Sequence, residues 1–141
     1  MQNQTLTCII VDDEIGNTVI LSDYVSQIPY LNLKKIFQKP TEALVYLLKN
    51  PTDLLITDVN MPQLRGIELY KGIILHTHTQ VIFITGEVNA LMEAIQFPAV
   101  DYLLKPISFQ RFEYATKKAL GLAQVEIKIY EKISPEILGA I

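Results

Sequence analysis

The chain has 141 residues, 50% of them hydrophobic, and a formal charge of -3; this suffices for one well-buried core plus a tail, falls short of two ordinary domains, and offers no basic face for nucleic acid. Its single cysteine, Cys8, rules out an intrachain disulfide. No stretch approaches the ~20 apolar residues of a membrane span, and residues 1–7 carry no lysine or arginine ahead of an apolar run that stops at Asp12, which argues against a signal peptide and leaves a soluble, cytoplasmic protein as the expectation.

Residues 6–11 form the first apolar run, expected to be a strand, with Cys8 inside it as a small buried hydrophobe. A helix is expected from about Ile15 to Ile28, because Leu21, Tyr24, Val25 and Ile28 share one stripe and Pro29 blocks continuation. A strand at 33–37 precedes a second helix, which follows Pro40, carries Ala43, Leu44, Leu47 and Leu48, and ends before Pro51. The third strand is expected at 54–57, and the third helix after Gly66, with Ile67, Tyr70, Ile73 and Ile74 packing together. At 81–85 the run Val81-Ile82-Phe83-Ile84 has no alternating polar residues, as expected of a strand buried on both faces. Val88, Leu91, Met92 and Ile95 have the spacing of a fourth helix. A fifth strand at 100–104 leads to Ser108, a cap for a helix on which Phe109, Phe112, Ala115, Ala119 and Ala123 recur. Beyond Gly121, Val125, Ile127 and Ile129 alternate like a strand, whereas Ala119, Ala123, Ile127 and Tyr130 continue the helix; an extended helix ending at Ser134-Pro135 is the expectation.

Strands alternating with helices indicate an α/β fold, a parallel sheet with helices on both faces. Right-handed crossovers restrict the winding, and five strands usually give a doubly wound, flavodoxin-like domain with strand order 2-1-3-4-5. In such a sheet, residues just past the carboxyl ends of the strands meet in one crevice although far apart in sequence. Asp12 and Asp13 follow the first strand here, Asp58 follows the third, Thr85 ends the fourth and Lys105 follows the fifth.

Two carboxylates ~5 Å apart repel by ~3 kcal/mol at an effective dielectric of ~20, so three converging acids call for a compensating cation. The donors on offer are all oxygens, which suits Mg²⁺. Lys105 adds a mobile positive charge and Thr85 a hydroxyl donor, so the crevice can accept a phosphate. An aspartate can itself attack phosphorus. Asp58 is the better candidate, since Asp12 and Asp13 are adjacent and suited to holding the metal. His76 and His78 have H-x-H spacing but sit at the end of a predicted helix amid threonines, and surface histidines are expected there.

At these residues the chain resembles the receiver domain of bacterial two-component response regulators, particularly those of the LytR/AlgR type. The matching segments are Cys8-Ile9-Ile10-Val11-Asp12-Asp13-Glu14, Asp53-Leu54-Leu55-Ile56-Thr57-Asp58-Val59-Asn60-Met61-Pro62 with Gly66 following, Val81-Ile82-Phe83-Ile84-Thr85-Gly86, and Asp101-Tyr102-Leu103-Leu104-Lys105-Pro106-Ile107-Ser108. The likeness covers roughly residues 5–122 and leaves 123–141 as a helical extension or linker stub.

What the resemblance implies is a phosphorylation-dependent signalling switch rather than an enzyme acting on a metabolite. A sensor histidine kinase would pass a phosphoryl group from phosphohistidine to Asp58. Mg²⁺ would be held by Asp13, Asp58 and the backbone carbonyl of Asn60, with Asp12 acting through water. Lys105 would pair with the phosphoryl group, and the Lys105-Pro106 bond would be cis. Thr85 would move toward a phosphoryl oxygen and Tyr102 would turn inward behind it, repacking the face of the fourth helix, fifth strand and fifth helix, through which a homodimer would form. A LytTR DNA-binding domain commonly follows in this subfamily, and nothing basic or long enough to be one is present here. Phe97-Pro98-Ala99 departs from the family by placing proline where glycine or another small residue is common, so the nearby loop is expected to differ in shape. Tyr102 also has a plainer reading as an aromatic at a sheet edge. Two alternatives are an interaction module indifferent to phosphorylation and an aspartyl-phosphate phosphatase of the haloacid-dehalogenase class; the latter places a second acid two residues after its nucleophile, where this chain has Asn60.

Overall fold

The computed structural model describes residues 4–132. Ten elements alternate along them: β1 (Leu6–Val11), α1 (Ile15–Ser26), β2 (Leu31–Phe37), α2 (Pro40–Lys49), β3 (Leu54–Asp58), α3 (Gly66–Ile73), β4 (Gln80–Thr85), α4 (Val88–Ala94), β5 (Asp101–Leu104) and α5 (Phe109–Lys132). All strand pairs are parallel, and the sheet order is β2-β1-β3-β4-β5. This is the flavodoxin-like, doubly wound architecture expected from the sequence.

Alternate residues of the central strands feed two cores. Ile9, Val11, Leu55, Val81 and Phe83 pack with Leu47, Leu69, Ile73, Ala90 and Ala94, so α2, α3 and α4 cover one face. Cys8, Ile10, Ile56, Ile82 and Ile84 pack with Leu21, Val25, Phe112 and Ala115, so α1 and α5 cover the other. The unbroken apolar runs of β1, β3 and β4 follow from burial on both sides. Each buried Val, Leu, Ile or Phe among them contributes roughly 1.5–3 kcal/mol relative to exposure.

The helix α1 stops at Ser26 rather than Ile28, because the N–H groups of Gln27 and Ile28 bond three residues back, to Tyr24 and Val25, and tighten the last turn before Pro29. Ile28 stays buried all the same. The strand β2 begins at Leu31, two residues earlier than expected: Leu31 pairs with Leu6, and a bulge at Lys34 shifts the register between Cys8 and Ile9. Its edge position tolerates the polar Asn32 that obscured this start.

The largest difference concerns α4. Its expected apolar stripe faces solvent, with Val88, Met92 and Ile95 57%, 62% and 55% exposed, and the buried residues are Ala90 and Ala94. Small residues let the helix lie close to the sheet and leave the larger ones outside. Leu48 and Ile74, also expected to pack, are exposed. The helix reading of residues 121–132 holds, since α5 runs through Gly121 to Lys132. The expected stop at Ser134-Pro135 lies outside the described residues.

Candidate functional site

The carboxyl ends of β1, β3, β4 and β5 carry the residues singled out from the sequence. The ladder reaches one step past several of these ends: Asp12 N–H donates to Phe37 O at 3.0 Å, Val59 N–H to Ile84 O at 2.9 Å, and Lys105 N–H to Thr85 O at 2.8 Å. These bonds fix the backbone beneath the side chains, so the crevice is built on the rigid part of the fold.

Asp12, Asp13 and Asp58 each bring a carboxylate oxygen to within 4.8 Å of the others. Asp12 and Asp58 are buried, and Asp13 is exposed at the mouth. Lys105 Nζ lies 3.0 Å from Asp12 Oδ2 and 3.4 Å from Asp58 Oδ2. The other Asp12 oxygen accepts the Glu14 N–H at 2.9 Å, and Asp58 Oδ1 accepts the Asn60 N–H at 3.3 Å.

Burial pushes the Asp58 carboxyl up to about 6, with Lys105 pulling it down and Asp12 adding to the rise. Burial alone would lower the Lys105 ammonium, but its bond to Asp12 and the charges of Asp58 and Asp12 outweigh this and raise it. One lysine thus serves two buried acids that repel each other, and a hard divalent cation fits the remaining all-oxygen set.

Thr85 is buried at the end of β4, and its Oγ1 accepts the Glu87 N–H at 3.2 Å rather than contacting a carboxylate. Tyr102 stands apart from the acids: its ring stacks on Phe83 with centroids 6.2 Å apart. Its hydroxyl donates to Phe97 O and accepts the Ala99 N–H at 3.0 Å. The Phe97-Pro98-Ala99 loop is therefore pinned to Tyr102 on either side of a proline that has no N–H. The Lys105-Pro106 peptide bond is cis. His76 and His78 are exposed and belong to no three-residue metal cluster among the described residues. Burial, with a smaller contribution from Asp53, raises the Cys8 thiol to about 12, consistent with a packing role.

Three charged residues not singled out from the sequence join the site's rim. Arg65 Nη2 donates to Asn60 Oδ1 at 3.0 Å, and Asn60 Nδ2 donates to Glu87 Oε2 at 2.9 Å. Arg65 Nη1 lies 2.8 Å from Glu93 Oε2 on α4.

Comparison with known proteins places this geometry in context. Residues 8–117 match the family described as response regulator receiver domain. An uncharacterised response regulatory protein of Shewanella oneidensis is 32% identical over 113 residues, covering 80% of this chain and 48% of that protein. The sensory transduction protein LytR of Streptococcus agalactiae is 31% identical over 139 residues, covering 92% of this chain and 56% of that one. The chain thus spans about half the length of these relatives. Among solved structures, the response regulatory domain of protein mrkE from Klebsiella pneumoniae superposes with a TM-score of 0.77 at 28% identity, covering 83% of this chain and 97% of that one.

Proposed function

Because the chain belongs to the response regulator receiver domain family, we propose that it is a phosphorylation-dependent switch that takes a phosphoryl group on Asp58 from the phosphohistidine of a sensor histidine kinase, with Mg²⁺ in the acidic crevice. The observation that carries this reading is the convergence of Asp12, Asp13, Asp58 and Lys105 at the strand ends.

In this reading an ionised Asp58 oxygen attacks phosphorus, the P–N bond to the kinase histidine breaks, and the released imidazole nitrogen keeps the electron pair. Asp13, Asp58 and the Asn60 carbonyl would hold the ion, and Asp12 would reach it through water. Bound there, Mg²⁺ would supply positive charge to offset the acids and the transferring group. Lys105, already 3.4 Å from Asp58 Oδ2, would pair with the phosphoryl oxygens. Thr85 would exchange its bond with the Glu87 N–H for one to the phosphoryl group, and Tyr102 would respond behind it. Shifting such a switch from 1:99 to 99:1 takes ~5.5 kcal/mol of differential interaction; one hydroxyl cannot provide this, so Thr85, Lys105, Tyr102 and dimerisation would share it.

The exposed Val88 and Met92 on α4 and Ile95 at its end, with Leu104 on β5 and Tyr114 on α5 also exposed, support a homodimer through the α4-β5-α5 face. We take residues 5–122 as the receiver unit and 123–141 as its extension or linker. Likeness to the LytR relative supports the LytR/AlgR type, in which a LytTR domain rather than this acidic chain would contact DNA. Exchange with a sensor kinase would place the protein in the cytoplasm, and no helix among the described residues is long and apolar enough to cross a membrane. The phosphatase alternative is disfavoured because Asn60, an amide held by Arg65 and Glu87, cannot relay the proton that fast turnover needs.

Beryllofluoride, a phosphoryl mimic, tests the switch. With Mg²⁺ it is expected to raise the melting temperature of the wild type and increase its mass by light scattering, with neither effect in Asp58→Asn. An equal response in the variant, or none in the wild type, contradicts the reading.

A further inference from the structure

A continuous path of side chains leaves the acidic crevice and ends on α4. It starts at Asn60, whose N–H holds Asp58 Oδ1 and whose amide is fixed at both ends, by Arg65 at 3.0 Å and by Glu87 at 2.9 Å. Glu87 donates its own N–H to Thr85 Oγ1 at 3.2 Å. Arg65 then spans to α4, where both of its terminal nitrogens engage the Glu93 carboxylate, at 2.8 and 3.4 Å. The intervening loop turns back on itself at Gln63, with φ 72, and Leu64 N–H donates to Pro62 O at 2.8 Å. That reversal returns Arg65 and Gly66 to the start of the loop, where Gly66 N–H meets Val59 O at 2.9 Å.

We propose that Arg65 is a positioning residue of the receiver site: it fixes Asn60 beside the metal pocket and, through Glu93, makes the placement of α4 depend on that of Asn60. This rests on the reading of Asn60 as a carbonyl ligand to Mg²⁺. As an isolated pair, Arg65 and Glu93 would matter little, since their side chains are 38% and 53% exposed. What sets the contact apart is that one guanidinium serves two elements. Its planar fork of donors engages a carboxylate and an amide oxygen together, a geometry that lysine cannot reproduce. Groups that orient a metal ligand typically change metal affinity by ~10-fold or more when removed.

The test uses the full chain, with Mg²⁺ affinity from a titration followed by NMR and α4 mobility from amide hydrogen exchange with and without Mg²⁺. In the wild type, Mg²⁺ is expected to slow exchange along α4. Arg65→Ala is expected to weaken Mg²⁺ binding by ~10-fold and to abolish the response of α4. Arg65→Lys, which keeps the charge but loses the fork, should weaken Mg²⁺ binding similarly. Glu93→Ala removes the acceptor on α4 and leaves the Asn60 contact, so Mg²⁺ should bind nearly as tightly as to the wild type while α4 no longer responds. Wild-type affinity and wild-type α4 response in Arg65→Ala would overturn the assignment alone, as would a change confined to its melting temperature. Failure of the wild type to bind Mg²⁺ would overturn the pocket reading, and the assignment with it.

Discussion

A Cβ on residue 66 would stand 2.2 Å from the backbone carbonyl oxygen of Asp58, so Gly66 and Asp58 are in direct backbone contact. Gly66 is the first residue of α3 and its φ is not positive. Glycine is required there for want of space rather than for an unusual backbone angle. Helix packing and the placement of Asp58 are thereby set by one contact.

Replacing Gly66 by Ala should therefore destabilise the fold despite a helix-propensity gain of ~1 kcal/mol. The overlap is with backbone, which cannot swing away, and overpacking of this kind costs roughly 1–3 kcal/mol. The urea midpoint should fall at unchanged m-value, and Mg²⁺ should bind more weakly because Asp58 is displaced. An unchanged midpoint would show that the loop after β3 yields freely.

The raised Asp58 carboxyl sets a pH dependence. Without divalent cation it titrates at about 6 in the folded chain, mainly through burial, against an ordinary value of 3.8. The native state thus binds the extra proton between these values, and its stability falls as pH rises through the window. In EDTA the wild type is expected to gain on the order of 2 kcal/mol relative to Asp58→Asn on acidification from about pH 7 to about pH 4.5. Asp101 acts oppositely at lower pH. Burial would raise it, but bonds from Arg111 and Lys118 hold it down to about 2. Its contribution is present above the ordinary carboxylate range and lost as pH falls toward 2. Urea melts of both proteins across this range measure the Asp58 effect, and parallel curves would contradict it.

Tyr102→Phe should loosen the connection between α4 and β5. The hydroxyl joins Phe97 O and the Ala99 N–H around Pro98, while the ring stacks on Phe83. Removing the oxygen leaves one donor and one acceptor without these partners, at a cost of roughly 1–2 kcal/mol, and keeps the stacking. A fall of a few degrees in melting temperature with faster exchange at Ala99 is expected. Unaltered exchange there would mean that the loop is held by its other contacts.

The acidic crevice was legible because topology leaves little choice: in a parallel sheet of this order β1 and β3 are neighbours, so the residues at their carboxyl ends meet, and the long Lys105 side chain reaches them from the end of β5. Asp12, Asp13, Asp58 and Lys105 needed only the strands to be found. The inward face of α4 was not legible, since Val88-Met92-Ile95 and Ala90-Ala94 are both apolar sets at helical spacing and only packing distance chooses between them. Arg65, Glu87 and Glu93 escaped because exposed charges resemble an ordinary solvated surface. Their only signal was position, with Arg65 directly before the helix-opening Gly66 and Glu87 two residues past Thr85. Their pairing depends on how the loop after β3 approaches α4, which no local pattern encodes.

The central assignment, that Asp58 takes up a phosphoryl group, is tested most directly by incubating the protein with acetyl phosphate, reducing with borohydride and mapping the product by mass spectrometry. With Mg²⁺ present, the reduced residue should be Asp58, and the modification should vanish in EDTA and in Asp58→Ala. Modification at another residue, or an equal yield without Mg²⁺, would contradict it.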